Sequence, residues 1–164
     1  TSLHLHQPAL EDFIRQTGGP PAGRADTCAQ VFVTVAHDRH ASTFPGVYRQ
    51  WAIGLQPNLN PTCFFVLCTG RLAAEVCASN ATSFGMPLMC VQLAGGWLAA
   101  KYSILMKVLR QGVVGALWLS LRTVILENPF PTLLGAAARN GAVGIACSRQ
   151  NSHSLDPDML FLLP

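Results

Sequence analysis

Charged residues are scarce in this chain of 164 residues. They make up 12% of the sequence, whereas a typical soluble domain carries about 25%. Hydrophobic residues reach 50% and the mean hydropathy is +0.33. Burial in an oligomer, contact with a membrane, or a surface rich in Ser, Thr, Asn and Gln would each account for so little charge. We favour a homo-oligomer, because the interfaces of obligate oligomers resemble a protein core cut in half.

Clustered positive charge is also missing. The chain has 11 Lys and Arg residues, and the only lysines are Lys101 and Lys107. The arginines are scattered singly along the sequence. Proteins that bind nucleic acid usually carry a basic stripe or patch. The sequence therefore predicts no nucleic-acid partner.

The familiar motifs for nucleotides and catalysis are absent. The sequence contains no GxGxxG, GxxxxGK[ST], GxSxG or EF-hand pattern, so it identifies no cofactor. The spacing of Cys63, Cys68 and Cys77 lacks the paired CxxC knuckles of structural zinc sites. His37 and His40 have no third ligand at a diagnostic spacing. We therefore predict no metal site.

A membrane span is disfavoured. Residues 76 to 100 contain no charged side chain, but Ser, Thr, Asn, Gln, Pro and paired glycines interrupt their hydropathy.

The six cysteines lie mostly in apolar runs such as CFFVLC, where free thiols behave as small buried hydrophobes. One glycosylation sequon, Asn80-Ala81-Thr82, is present. We predict free buried thiols and favour a cytoplasmic over a secreted protein.

Hydrophobic periodicity and breaker residues predict alternating strands and helices. Residues 8 to 19 are typical of a short helix and residues 18 to 26 of a loop rich in breakers. The predicted strands are 31–36, 47–55, 62–68, 86–93, 117–126, 142–147 and 159–163, and the further helices are 71–78, 97–111 and 131–139.

These elements predict one three-layer domain over residues 1–164, of the α/β or α+β class, with a mixed sheet. Residues 1–30 form an N-terminal helix and loop, and residues 31–164 form a core built on the sheet. The first two strands are joined by about ten residues, which is short for a parallel crossover. We therefore expect an N-terminal hairpin, followed by units resembling βαβ.

Three polar loops follow predicted strands. The first is His37-Asp38-Arg39-His40, the second is Thr69-Gly70-Arg71, and the third is residues 148–153, which include Arg149 and His153. Ligands of open α/β sheets gather at the carboxyl ends of strands. The three loops are therefore the candidate site, provided that they open at the same edge of the sheet.

The residue types in these loops suit a small anionic substrate. We predict that His37 or His40 acts as a base and that Asp38 orients it. Arg39, Arg71 and Arg149 would bind the anion, assisted by His153 and by backbone N–H groups at Thr69 and Gly70.

The leading functional hypothesis is thus an acid–base enzyme of the hydrolase or lyase type. Two alternatives remain open at this point. One is a non-catalytic assembly or interaction subunit whose apolar surface is its function, and the other is a membrane-associated protein.

Overall fold

A computed structural model describes residues 28–55, 62–81, 88–94, 96–147 and 159–164. The strands are β1 (Gln30–Ala36), β2 (Thr62–Cys68), β3 (Leu88–Gln92), β4 (Gly115–Leu119), β5 (Gly144–Cys147) and β6 (Met159–Leu162). The helices are α1 (Phe44–Gly54), α2 (Arg71–Ser79), α3 (Trp97–Leu109) and α4 (Phe130–Asn140), and Asp38–His40 forms a short 3-10 helix.

The six strands form one mixed sheet in the order β3-β2-β1-β4-β6-β5. β1 pairs in parallel with both β2 and β4, and β2 pairs in parallel with β3. β6 runs antiparallel to both of its neighbours, β4 and β5. The predicted α/β class and mixed sheet are confirmed.

Both faces of the central strands β1, β2 and β4 are buried. All seven residues of β2 are buried, which agrees with its uninterrupted apolar sequence TCFFVLC. Phe64 and Val66 lie in the cluster packed by α1, α2 and α4, whereas Phe65 and Leu67 lie in the cluster packed by α3. The alternation of side chains along one strand thus builds the three layers.

The predicted N-terminal hairpin is wrong. Residues 47–54 are not a strand but part of α1, and Leu55 is the C-cap of this helix. Phe44, Tyr48, Trp51 and Leu55 are buried along one side at helical spacing. Pro45 lies in the first turn, where its missing N–H costs nothing. With a helix in the connection, β2 can return parallel to β1.

The strand predicted over 117–126 is also shorter in the structure. β4 ends at Leu119, and the chain then leaves the sheet. Gln50 of α1 pairs with both backbone groups of Ile125: its Nε2 donates to the Ile125 oxygen at 2.6 Å, and its Oε1 accepts from the Ile125 N–H at 3.1 Å. A side chain thus provides the hydrogen bonds that a neighbouring strand would otherwise supply. The helix predicted over 8–19 lies outside the described residues.

The prediction of free cysteines is wrong for four of the six. Cys28 is joined to Cys63, and Cys77 of α2 is joined to Cys90 of β3. Cys68 is a free, buried thiol. Cysteine spacing alone does not determine pairing, so these disulfides became visible only when the strands were placed side by side.

No helix in the described part of the chain is long and apolar enough to cross a membrane. The longest described helix, α3, has 13 residues.

Candidate functional site

The four parallel strands β1 to β4 all end at the same edge of the sheet, which we call the carboxyl edge; the opposite edge is the amino edge. The chain moves outward from β1 to β2 and β3, and then returns to β4 on the other side of β1. The carboxyl ends of β1 and β4 therefore flank a topological switch point, where ligands bind in open α/β sheets. The loops at this point begin at His37 and Ser120.

The loop after β1 is organised by its own backbone. The His40 N–H donates to the His37 carbonyl oxygen at 2.7 Å, and the His37 N–H donates to His40 Nδ1 at 3.2 Å. The two imidazole rings meet edge to face, with centroids 5.2 Å apart. Both histidines are thereby held together at the switch point.

His40 has two candidate donors but only one acceptor nitrogen when its ring is neutral. The His37 N–H points at Nδ1, and the Arg39 Nε–H points at Nε2 at 3.3 Å. A neutral ring accepts one of these bonds at a time, and a protonated ring accepts neither. The contacts around His40 thus disfavour its charged form.

His37 joins the first predicted loop to the second. Its Nδ1 lies 2.7 Å from Thr69 Oγ1, and the Thr69 N–H donates to the Ala36 oxygen at 2.9 Å. The structure therefore brings His37 and Thr69 together at the carboxyl edge. The parallel pairing of β1 and β2 makes this possible, against the hairpin that we had predicted.

Asp38 caps a helix, whereas we had predicted that it orients an imidazole. Its Oδ1 accepts a hydrogen bond from the Ala73 N–H, in the first turn of α2, at 2.8 Å. Gly70, the residue before α2, has no side chain, and a Cβ atom there would collide with the Asp38 carboxylate. The start of α2, which we had expected to offer N–H groups to an anion, already holds an anionic side chain of the protein.

Positive charge collects around the histidines. Burial, and next the positive charge of Arg39, lowers the pKa of His37. Burial also lowers the pKa of His40, with further contributions from His37, Arg39 and Arg122. Arg122 follows β4, so cations from both sides of the switch point act on the same imidazole.

Arg71 lies in the second predicted loop but is turned to solvent. Its side chain is 86% exposed and its Nε donates to Glu75 at 2.6 Å, one helical turn further along α2. Arg149 and His153, the predicted residues of the third loop, lie outside the described residues. Within the described ranges, no group of three His, Cys, Asp or Glu side chains is placed to hold a metal ion.

Sequence reasoning missed the aromatic side chains that pack next to His37. Trp97, the first residue of α3, meets the His37 ring edge to face at 6.3 Å and stacks on Trp118 of β4 at 5.8 Å. Lys101 is fully buried, with its Nζ 4.3 Å from the centroid of the Trp118 ring. The helical spacing of Trp97 and Lys101 showed that they share a face. The proximity of Trp97 to His37 depends instead on where α3 crosses the sheet on its way to β4.

No protein-family model matches the chain, and no curated protein is significantly similar to it. Its fold is similar to that of solved glycosyltransferases. The galactosyltransferase LgtC, solved in complex with donor and acceptor sugar analogs, is 16% identical with a TM-score of 0.52, and an LgtC active-site mutant, Q189E, is 17% identical with a TM-score of 0.53. The glycosyltransferase GlyE of Streptococcus pneumoniae TIGR4 is 11% identical with a TM-score of 0.57.

These similarities cover most of this chain but a smaller share of each neighbouring protein. The LgtC matches cover 81% of this chain and 57% of LgtC, and the GlyE match covers 84% and 34%. The chain therefore spans little more than half the length of LgtC and about a third of GlyE. Because the sequence identities are this low, the structural similarity shows a shared fold alone.

The comparison corrects two expectations about function. The neighbours are named as glycosyltransferases, and this finding overturns our prediction of a hydrolase or lyase that acts by acid–base chemistry. The oligomer expected from low charge conflicts with the same finding, because the names of the neighbours describe sugar transfer rather than assembly. Three expectations stay predictions. They are that copies of the chain associate, that the chain has no nucleic-acid partner, and that residues 1–164 form one domain.

Proposed function

We propose that the chain forms the donor-binding part of a glycosyltransferase, and that it holds the phosphate-containing leaving group of an activated sugar at the switch point. The observation that carries this proposal is the fold shared with LgtC and GlyE. LgtC was solved with donor and acceptor sugar analogs, so this fold accommodates a sugar donor in that protein.

The position of the polar loops supports the same assignment. Doubly wound sheets bind nucleotides in the crevice at the switch point. Here that crevice lies between His37–His40 and the segment that begins at Ser120. A nucleoside diphosphate attached to a sugar matches the position, since its phosphates would face loops that carry cations.

The charges at the crevice suit a diphosphate. Arg39 and Arg122 lie on its two sides, and a guanidinium group can bind two phosphate oxygens at once. When a sugar leaves its donor, negative charge builds up on the phosphate, and cations fixed beside it stabilise that change. Asp38, the acidic residue of the loop, is directed to α2 and away from this role.

The imidazoles would act as hydrogen-bonding groups of the binding site. Their lowered pKa values keep His37 and His40 neutral near pH 7 in the free protein. A bound phosphate would offset the repulsion from the arginines and favour the protonated rings. Donor binding should therefore take up protons and become tighter as the pH falls towards 6.

The test is calorimetric titration of the full chain with UDP, GDP and ADP, with inorganic diphosphate as a ligand that lacks the nucleoside. We expect at least one nucleoside diphosphate to bind more tightly than diphosphate. Arg122→Ala should weaken that binding about 10-fold or more, because a charge-assisted hydrogen bond contributes about 1.5–3 kcal/mol.

Arg110→Ala is the matched control. Arg110 is exposed at the end of α3, toward the amino edge, and its loss changes the net charge equally. This control should bind as the unaltered chain does. The proposal fails if none of the nucleoside diphosphates binds, or if Arg110→Ala and Arg122→Ala weaken binding to the same degree.

A further inference from the structure

The end of α2 carries a modification motif that the proposed function does not use. Asn80-Ala81-Thr82 is a complete N-glycosylation sequon. Asn60-Pro61-Thr62 is blocked by its proline, and the other asparagines lack Ser or Thr two positions later. The chain therefore offers one acceptor asparagine.

Asn80 lies away from the crevice. α2 begins beside Asp38 at the carboxyl edge and runs back along the sheet, so its C-cap, Asn80, is directed toward the amino edge. Ala78 and Ser79 are exposed and Asn80 is partly exposed. A bulky group on this side chain would extend into solvent without meeting the loops at His37 and Ser120.

The hydrogen bonds of Asn80 are compatible with modification. Its Nδ2 donates to the Val76 oxygen at 2.8 Å and makes a longer contact of 3.4 Å with Ser79 Oγ. An amide nitrogen carries two hydrogens, and linkage to a sugar replaces only one of them. The remaining N–H can keep the shorter bond, so the end of α2 need not change.

The disulfides indicate the compartment in which such a modification takes place. Cys77, one turn before Asn80, is bonded to Cys90, and Cys28 is bonded to Cys63 on the other face of the sheet. Disulfides form and persist in secretory compartments and are rare in the cytosol. N-glycosylation belongs to the same secretory compartments.

We infer that Asn80 is an N-glycosylation site and that the chain matures in an oxidising secretory compartment. The donor is an oligosaccharide linked to a lipid diphosphate. The Asn80 Nδ2 forms a bond to the anomeric carbon, the bond from that carbon to the phosphate oxygen breaks, the lipid diphosphate leaves, and Nδ2 loses one proton. This assignment replaces the cytoplasmic location that the sequence favoured.

The experiment is translation of the full chain, behind a cleavable secretion signal, in the presence of endoplasmic-reticulum microsomes. The product is analysed on gels with and without a peptide amidase that hydrolyses the bond between the asparagine carbonyl carbon and Nδ2, which releases the N-glycan and leaves aspartate. We expect a slower band that the enzyme returns to the unmodified position, and a mass spectrum that places aspartate at position 80. Alkylation before and after reduction should show four cysteines protected.

Three variants test whether the sequon, rather than the position of an asparagine at the end of a helix, determines the modification. Thr82→Ala should abolish the slower band, whereas Thr82→Ser should retain it. Asn140→Gln is the matched control, because Asn140 ends α4 with the same bond, Nδ2 to the Ala136 oxygen at 2.8 Å, but has no sequon. It should not change the band. The inference is overturned if the unaltered chain inside the microsomes stays unglycosylated, or if Thr82→Ala is still modified.

Discussion

The two edges of the sheet are held by different kinds of contact. Toward the amino edge, Cys28 is bonded to Cys63, and the buried Gln30 accepts hydrogen bonds from Thr62 at 3.4 Å and Asn128 at 3.1 Å. At the carboxyl edge, the contact between His37 and Thr69 and the cap from Asp38 to α2 are hydrogen bonds of partly exposed groups. Covalent links and close packing thus fix one edge, and adjustable polar contacts shape the other. A binding site gains from such an edge, since side chains there can shift to meet a ligand.

The largest expected effect is loss of a disulfide. In the chain-entropy model, Cys28→Ala with Cys63→Ala costs about 4 kcal/mol for a sequence separation of 35. Cys77→Ala with Cys90→Ala costs about 3 kcal/mol for a separation of 13. Urea unfolding measures both. Cys68→Ala, which removes a free buried thiol, is the control. If it costs as much as the loss of Cys28–Cys63, that disulfide does not dominate the stability of the amino edge.

The next effect tests close packing on α1. A Cβ atom at Gly54 would collide with the backbone oxygen of Ile125, which has little freedom to move because Gln50 bonds both backbone groups of that residue. Gly54→Ala should therefore lower the free energy of unfolding by about 3 kcal/mol. Gly46→Ala in the same helix meets no atom within 4 Å and should be stabilising by about 0.5–1 kcal/mol. Equal effects of the two variants would show that Ile125 is not fixed.

A smaller effect is expected at the carboxyl edge, where the obstacle is a side chain. In Gly70→Ala the new Cβ displaces the Asp38 carboxylate and the Ala73 N–H loses its cap, at a cost of about 1–2 kcal/mol. The backbone of Gly70 is extended and tolerates alanine. In Asp38→Ala/Gly70→Ala the collision is gone, so the double variant should be no less stable than Asp38→Ala. Additive losses would mean that Gly70 acts through something other than Asp38.

The smallest effect is a pH dependence confined to the carboxyl edge. The pKa values of His37 and His40 are lowered in the folded protein, so below pH about 6.5 the unfolded chain binds protons more readily. The free energy of unfolding should therefore fall slightly as the pH drops from about 6.5 towards the pKa values of the folded protein. Above pH about 6.5, these two groups should not affect it. His37→Gln/His40→Gln should flatten this part of a plot of unfolding free energy against pH. An unchanged slope would mean that other groups cause it.

Local pattern predicted much of this architecture. The boundaries of β2 were predicted to the residue, and α2, α3 and α4 were placed within two residues at each end, because their apolar spacing and terminal glycines are local signals. The failure at residues 47–55 came from assigning Val47, Trp51, Ile53 and Leu55 to one face of a strand. Phe44, Tyr48, Trp51 and Leu55 fit a helix better, and Pro45 marks its start.

The candidate site depended on that single error. The sequence identified the residue types of His37–His40 and grouped them with Thr69, but the predicted hairpin would have sent the first loop to the other edge of the sheet. Asp38 was assigned to an imidazole because sequence gives proximity along the chain, whereas its true partner, the Ala73 N–H, lies 35 residues away. Arg122 and Trp97 belong to the edge only because β4 returns beside β1.

The strand order also has a consequence for the route to the folded state. β6, near the end of the described chain, pairs with β4 on one side and β5 on the other. As the chain is synthesised, β5 therefore has no partner in the sheet until β6 emerges, and β4 has one side open. This half of the sheet stays incomplete until residues 159–162 are made, and until then its apolar strand edges can meet another chain. Residues 159–162 thus complete the pairing of β4 and β5 together.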